Sequence, residues 1–312
     1  MSSVKSNLKP ENATAVSLLG FRVDTLSDQD VVALVARAIR DGERCTLGNH
    51  NAHSMYLFER EPRMRDFYEA ADYVLIDGMS LIMLGRLVGL RLKRKHRATS
   101  LDFMPILLPD AVRNNWRIYL LGSRPGVADR AAAKLRAQYP GVQIRSHHGY
   151  FDQATSGPGN REVLDDINAF APHLLLVGMG MPRQEMWILE NRANIAANVV
   201  TPCGAHMDYI AGEIPMAPRW LARIYLEWLF RLVCEPKRLG RRYLVEPWFM
   251  TTLLFRELFK KASGSTAGAS GTDPASSAKR EGRSSVEVSG EDACEKSESD
   301  GLRSEPRRYS ER

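Results

Sequence analysis

Asp77 closes a short apolar run, DYVLID, and is followed by Gly78. A carboxylate so placed can take a proton from a hydroxyl nucleophile. It can equally cap the helix that follows. Two glycine-rich turns, GSRPGVAD from Gly122 and GMGMPRQE from Gly178, each follow an apolar run and precede a helical pattern. Glycines there let backbone N–H groups approach a phosphate, and the helix N-terminus favours the anion. Each is also an ordinary strand-to-helix connection. Neither completes a G-x-G-x-x-G fingerprint with an acidic residue about 20 positions on, so a nicotinamide dinucleotide is not indicated.

Metal chemistry finds little support. His50 and His53 stand close together, and His147 and His148 are adjacent, but no HExxH or Cys/His cluster accompanies them. Asp28-Gln29-Asp30 has the D-x-D form of a divalent-ion site, yet it follows Ser27 at the start of a helical pattern. Acidic residues in a first turn are explained by the helix dipole. Cys45, Cys203, Cys234 and Cys294 form no CxxC pair and read as reduced thiols. No metal and no cofactor is expected.

The elements around these residues alternate. Ser27 caps a helix over DQDVVALVARAIRDG that stops at Gly42. CTLGNHNAHS begins as a buried strand and is expected to run into a polar loop. Leu101–Val112 reads as helix, WRIYLLGS as strand, GVADRAAAKLRAQYPG as helix and VQIRSHHGYF as strand and loop. Arg161–Phe170, PHLLLVGMGMP, QEMWILENRANI and NVVTPCG continue as helix, strand, helix and strand. Such alternation predicts an α/β fold, a Rossmann-like parallel sheet wrapped by helices. Ligands then bind beyond the carboxyl ends of the strands, where Asn49, Asn51, Asp77, Gly122, Gly178, Gln184 and Asp208 fall.

The chain has 312 residues, 44% of them hydrophobic and 26% charged, the composition of a globular protein. No apolar window is long enough to span a bilayer, and the N-terminus lacks a signal-peptide core, so a cytoplasmic location is expected. The net charge of +6 is uneven: residues 219–261 carry 10 basic and 4 acidic residues. That segment interleaves Trp, Tyr, Phe and Leu with Arg and Lys, as interfacial helices on anionic membrane do. A helical cap with a solvated basic face is the alternative. Nucleic acid is not expected, because no recognition module accompanies the charge. From Ser263 the chain is rich in Ser, Gly and charge and reads as a disordered tail. The expected division is a catalytic domain over 1–212, a basic amphipathic appendage over 213–262 and a tail over 263–312.

Taken together, NHNAHS (49–54), DYVLIDG (72–78), RATSLD (97–102), YLLGS (119–123), HHGYF (147–151), VGMGMPRQE (177–185), CGAHMDYIAGEIPMAPRW (203–220) and LEWLFRLVCEPKRLGRRYL (226–244) carry a resemblance. In this order and spacing they resemble the WecB/TagA/CpsF glycosyltransferases, glycosyltransferase family 26, from about Leu18 to Trp248.

The resemblance implies a metal-independent, inverting enzyme, peripheral at the inner face of the cytoplasmic membrane. It would move a sugar from a UDP-sugar to a polyprenyl-diphosphate-linked saccharide. It also implies roles. Asp77 would be the general base, and Arg97, with Thr99 and Asp102 in its block, would meet a diphosphate. Gln184 and its neighbour Glu185 would contact donor or acceptor, and Asp208 belongs to a further family block. Gly122, Gly178 and Gly180 would lie near the leaving UDP. Arg219, Arg223 and Arg231 would face lipid diphosphate or anionic head groups of the inner-membrane surface. Asn51 is kept where Asn49 replaces a common Thr, Ser100 replaces a Gly, His206 replaces an aromatic or apolar residue, and extra basic residues precede Arg97. The NHNAHS form resembles the exopolysaccharide branch and implies hexosyl transfer. N-acetylmannosaminyl transfer to a lipid-linked N-acetylglucosamine and a non-catalytic UDP-binding module are the alternatives. A homo-oligomer is left open.

Overall fold

The computed structural model describes residues 13–217, 221, 227–234 and 236–266. It opens with an antiparallel hairpin of β1 (Ala15–Leu18) and β2 (Phe21–Asp24). Then follow α1 (Asp28–Arg40), β3 (Cys45–His50), α2 (Ala52–Arg60), α3 (Pro62–Ala70), β4 (Tyr73–Ile76), α4 (Met79–Leu87) and α5 (Ser100–Arg113). The second half runs β5 (Arg117–Gly122), α6 (Val127–Gln138), β6 (Gln143–His147), α7 (Pro158–Phe170), β7 (Leu174–Gly178), α8 (Arg183–Asn191), β8 (Val199–Pro202) and α9 (His206–Ala211). Two helices end it, α10 (Glu227–Cys234) and α11 (Pro236–Thr266).

Six strands form one sheet in the order β4-β3-β8-β7-β5-β6, with every pairing parallel. The α/β expectation therefore holds. Buried strands of a parallel sheet are apolar on both faces because helices cover both. In β5, Ile118 and Leu120 face the layer of α1, α5 and α6, while Tyr119 and Leu121 face that of α3, α7 and α8. A third apolar cluster joins the hairpin to α4, with Leu18, Phe21, Leu81 and Ile82 buried together. Met250 and Leu253 of α11 enter that cluster, so this part of the appendage packs on the body. Contacts divide the chain into Met1–Ala267 and Gly268–Arg312, and the second unit lies wholly outside the described residues, as does nearly all of the expected tail.

Ser27 caps α1 as expected: its Oγ accepts from Asp30 N–H at 3.3 Å, and the Asp30 carboxylate accepts from Ser27 N–H at 2.9 Å. That reciprocal bond accounts for Asp30 without a metal. The expected polar loop after the strand of CTLGNHNAHS is corrected. The chain passes from β3 to α2 through Asn51 alone, because Asn51 is itself the N-cap.

Candidate active site

Strands β3 and β4 are adjacent and parallel, with His50 opposite Ile76, so the residues that leave them emerge side by side. Asp77 N–H donates to His50 O at 2.8 Å, and Asn51 Nδ2 donates to Asp77 Oδ2 at 3.2 Å. Asn51 Oδ1 accepts from Ser54 N–H at 3.1 Å, and Ser54 Oγ accepts from Asn51 N–H at 2.9 Å. Asp77 does not cap the next helix; Gly78 is the N-cap of α4, with no side-chain bond. The carboxylate is half-buried and held at the sheet edge, a placement suited to proton transfer.

Arg97 reaches the same place from the segment before α5. Ala98 N–H donates to Ile76 O at 3.0 Å, which draws this segment along β4. Arg97 Nε donates to Asp77 O at 3.0 Å and Nη1 to Asp102 Oδ2 at 3.0 Å, while Thr99 Oγ1 donates to the same carboxylate oxygen at 2.7 Å. The RATSLD block is thus a clamp on the backbone of Asp77. Asp28 lies beside it. Burial pushes its carboxyl up to about 6, the charge of Asp102 adds to that, and Arg97 opposes it.

Asn49 stands one residue inside β3. Its Nδ2 donates to Pro202 O at 3.3 Å, and its buried Oδ1 has no partner among the described residues. Tyr68 Oη donates to Asn49 O at 2.9 Å. His50 is buried and stacks on Tyr68 with ring centroids 3.8 Å apart, and its Nδ1 meets Ser54 Oγ at 2.9 Å. Burial pushes its pKa down to about 3, so the ring is neutral. His53 instead meets Glu246 of α11, at 2.6 Å. The two histidines of the motif thus serve packing and docking.

Beyond β5, β7 and β8 lies a cleft of about 570 Å³, lined by Ser123, Arg124, Tyr150, Gly178, Gly180, Arg183 and Asp208 among others. Gly178 and Gly204 line it, and Gly122, which is not among the lining residues, packs against Gly178. A Cβ on Gly122 would stand 2.2 Å from Gly178 O, and one on Gly178 would stand 2.6 Å from Gly204 O. Gly122 also has φ +148, a conformation that L side chains rarely adopt. Ser123 follows in the left-handed region at φ 57, and its Oγ donates to Asp208 Oδ2 at 2.7 Å. Asp208 is thereby fixed at the cleft wall.

Gln184 takes a different place from the substrate contact expected of it. It is fully buried. Its Oε1 accepts from Gly180 N–H and Gly204 N–H, each at 3.2 Å, and its Nε2 donates to Glu185 Oε1 at 2.7 Å. It ties the loop after β7 to the loop after β8. Glu185 is also fully buried, so desolvation pushes its pKa up to about 7. Neither side chain faces the cleft.

Asp77, Asn51 and Arg97 therefore stand at one edge, and Gly178, Gly180 and Asp208 at the cleft. Three strand steps separate β4 from β7, about 14 Å at the usual spacing. Arg219 and Arg223 lie outside the described residues, and Arg231 lies on α10 with its side chain undescribed. Two cleft residues had no sequence signal of their own. Tyr150, 57% exposed, stands in the loop after β6 with the Arg183 guanidinium 5.8 Å from its ring centroid. The second, Arg183, also donates to Met179 O at 2.7 Å.

Comparison of the sequence with known proteins matches it to a family. The model described as the glycosyl transferase WecG/TagA/CpsF family matches residues 16–264. This chain belongs to that family. One relative is the N-acetylglucosaminyldiphosphoundecaprenol N-acetyl-beta-D-mannosaminyltransferase of Bacillus spizizenii (strain ATCC 23059 / NRRL B-14472 / W23). It is 30% identical over 198 residues, which cover 64% of this chain and 74% of the relative. The protein of the same name from Staphylococcus aureus (strain NCTC 8325 / PS 47) is 25% identical over 242 residues, covering 74% of this chain and 89% of that one. As a family member the chain is a glycosyltransferase, and the described helices include none long and apolar enough to cross a membrane.

Proposed function

We propose that this glycosyltransferase moves an N-acetylmannosaminyl unit from a UDP-linked donor to the hydroxyl of a polyprenyl-diphosphate-linked N-acetylglucosamine, with inversion. The names of the relatives support this sugar over the hexose that NHNAHS suggests. The observation that carries the reaction is the Asn51–Asp77 pair at the sheet edge. Asp77 takes the proton of the acceptor hydroxyl as its oxygen bonds to the anomeric carbon. The bond from that carbon to the UDP oxygen breaks, and UDP leaves with the electron pair.

The cleft suits the nucleotide. Tyr150 offers an exposed ring face for uracil, and Arg124 and Arg183 offer cations for the diphosphate. The donor would lie across the three strand steps, with its sugar toward Asp77. Arg183 and the start of α8 would meet the charge developing on UDP without a metal ion. Trp248, Phe255 and Phe259 of α11 are large and exposed, and we place the protein against the inner face of the anionic membrane, where the lipid-linked acceptor resides.

A second reading keeps hexosyl transfer and rests on Asn49, whose Nδ2 donates to Pro202 O at the end of β8 and whose buried Oδ1 is unpartnered among the described residues. The test is a panel of UDP-sugars with a polyprenyl-diphosphate N-acetylglucosamine acceptor and a chelator present. Transfer from UDP-N-acetylmannosamine is expected. Transfer only from UDP-glucose would establish the second reading. UDP binding without transfer from any donor would leave a non-catalytic module.

A further inference from the structure

Asp77 is followed in sequence by two elements whose outer surfaces the reaction does not use. Helix α4 begins two residues after it, and the segment 91–97 returns to it through the Arg97 clamp. On α4, Met83 is 48% and Leu87 67% exposed, one turn apart on one face. Apolar side chains of that size on an outer face call for a partner when cations ring them. Five exposed cations lie close by in the chain, Arg86 on the same helix and Arg91, Lys93, Arg94 and Lys95 in the segment that follows it.

The helix and the basic segment form one surface because they are packed together. Leu90 N–H donates to Gly85 O at 2.8 Å, and Arg86 Nε donates to Leu92 O at 2.8 Å. Gly85 permits this approach, since a Cβ there would meet Leu92 Cδ1 at 2.4 Å. From Leu90 to His96 the chain holds four Lys or Arg and no acidic residue. Asp30 on α1 is the carboxylate that feels Lys95 and His96.

We propose that Met83, Leu87 and the cations of 91–95 form a second membrane-docking surface, specific for anionic phospholipid, beside Asp77 and apart from the basic C-terminal segment. Cations around a small apolar knob match a negatively charged interface, where head groups meet the charges and acyl chains receive the knob. The position adds a function, and here the inference rests on the acceptor being lipid-linked. A sheet edge seated on the bilayer would bring Asp77 to the height of a polyprenyl diphosphate, so that the acceptor need not leave the membrane.

The test uses the full chain and reads binding without turnover, so it stands or fails apart from the transferase assay. Sedimentation is measured with vesicles of phosphatidylglycerol mixed with phosphatidylcholine, and with phosphatidylcholine alone. The variant R91Q/K93Q/K95Q is expected to bind the anionic vesicles roughly tenfold or more weakly. A control that removes three exposed charges elsewhere, R40Q/R113Q/R161Q, should change binding less than about twofold. Met83→Ser with Leu87→Ser should weaken the binding that persists at high salt, where charge is screened. Equal losses in the basic variant and its control, or no loss in either, would overturn the proposal. A change of oligomeric state in the basic variant with unchanged vesicle binding would assign the face to a second copy of the chain and also overturn it.

Discussion

The side-chain amide of Asn51 joins Asp77 to the start of α2. Its Nδ2 donates to Asp77 Oδ2 at 3.2 Å while its Oδ1 caps the helix at Ser54 N–H. The cap fixes which end of the amide faces the carboxylate, since only the oxygen can accept from Ser54. The proposed base is therefore aimed by a helix terminus.

That double use of Asn51 predicts a separation of stability from activity. Asn51→Ser keeps a capping oxygen and should change stability by less than about 0.5 kcal/mol. It loses the N–H on Asp77, and kcat/KM should fall about tenfold. Asn51→Asp also keeps the cap but sets a like charge beside Asp77, which disfavours the ionised base. The acid limb of the pH–rate profile should then move to higher pH. Urea midpoints together with pH profiles check both. An Asn51→Ser enzyme as active as wild type would detach Asn51 from the base.

Gln184 should act through the loops. In Gln184→Ala the N–H groups of Gly180 and Gly204 lose their shared acceptor, and the floor of the cleft loosens. KM for the UDP-sugar should rise several-fold, with a smaller change in kcat. Gln184→Glu, which retains an acceptor oxygen, should recover part of the loss. A fall in kcat alone would return Gln184 to the reacting atoms.

Buried acids give the stability a sign with pH. Glu185 is raised to about 7 and Asp28 to about 6, in both cases chiefly by desolvation. A carboxyl whose folded pKa lies above its unfolded value holds its proton longer in the native state. Its contribution is full below the unfolded pKa and is lost as pH rises through the folded one. The protein should therefore be more stable near pH 5 than near pH 7.5 on account of these groups. Glu185→Gln should flatten part of that slope, as read from urea midpoints across pH. An unchanged slope would place the ionisation elsewhere.

Much of the fold is legible in the sequence because its signals are local. Ser27 and the helix after it, the runs around Leu120 and Leu176, and the glycine turns after them need no distant partner to be read. The motif NHNAHS misleads for a local reason as well. His50, Asn51 and His53 look like loop residues, yet His50 is buried on Tyr68 and Asn51 caps a helix. The spacing of Asn51 to Ser54 is the capping signal that would have shown it. Gln184 is different. Its inward turn depends on the loops after β7 and β8 meeting over one amide, a long-range event that no spacing encodes. Ser123 and Tyr150 likewise gain their places only once β5, β6 and β7 lie together.

The most direct measurement compares Asp77→Asn with wild type for transfer to a lipid-linked acceptor in vesicles, alongside UDP binding by each protein. The variant is expected to bind UDP as wild type does, keep its urea midpoint, and lose transfer by roughly 100-fold or more, as removal of a general base does. Near wild-type transfer by Asp77→Asn would contradict that expectation, because the carboxylate that Asn51 holds at the sheet edge, on a backbone carbonyl that Arg97 clamps, would then have no part in the reaction.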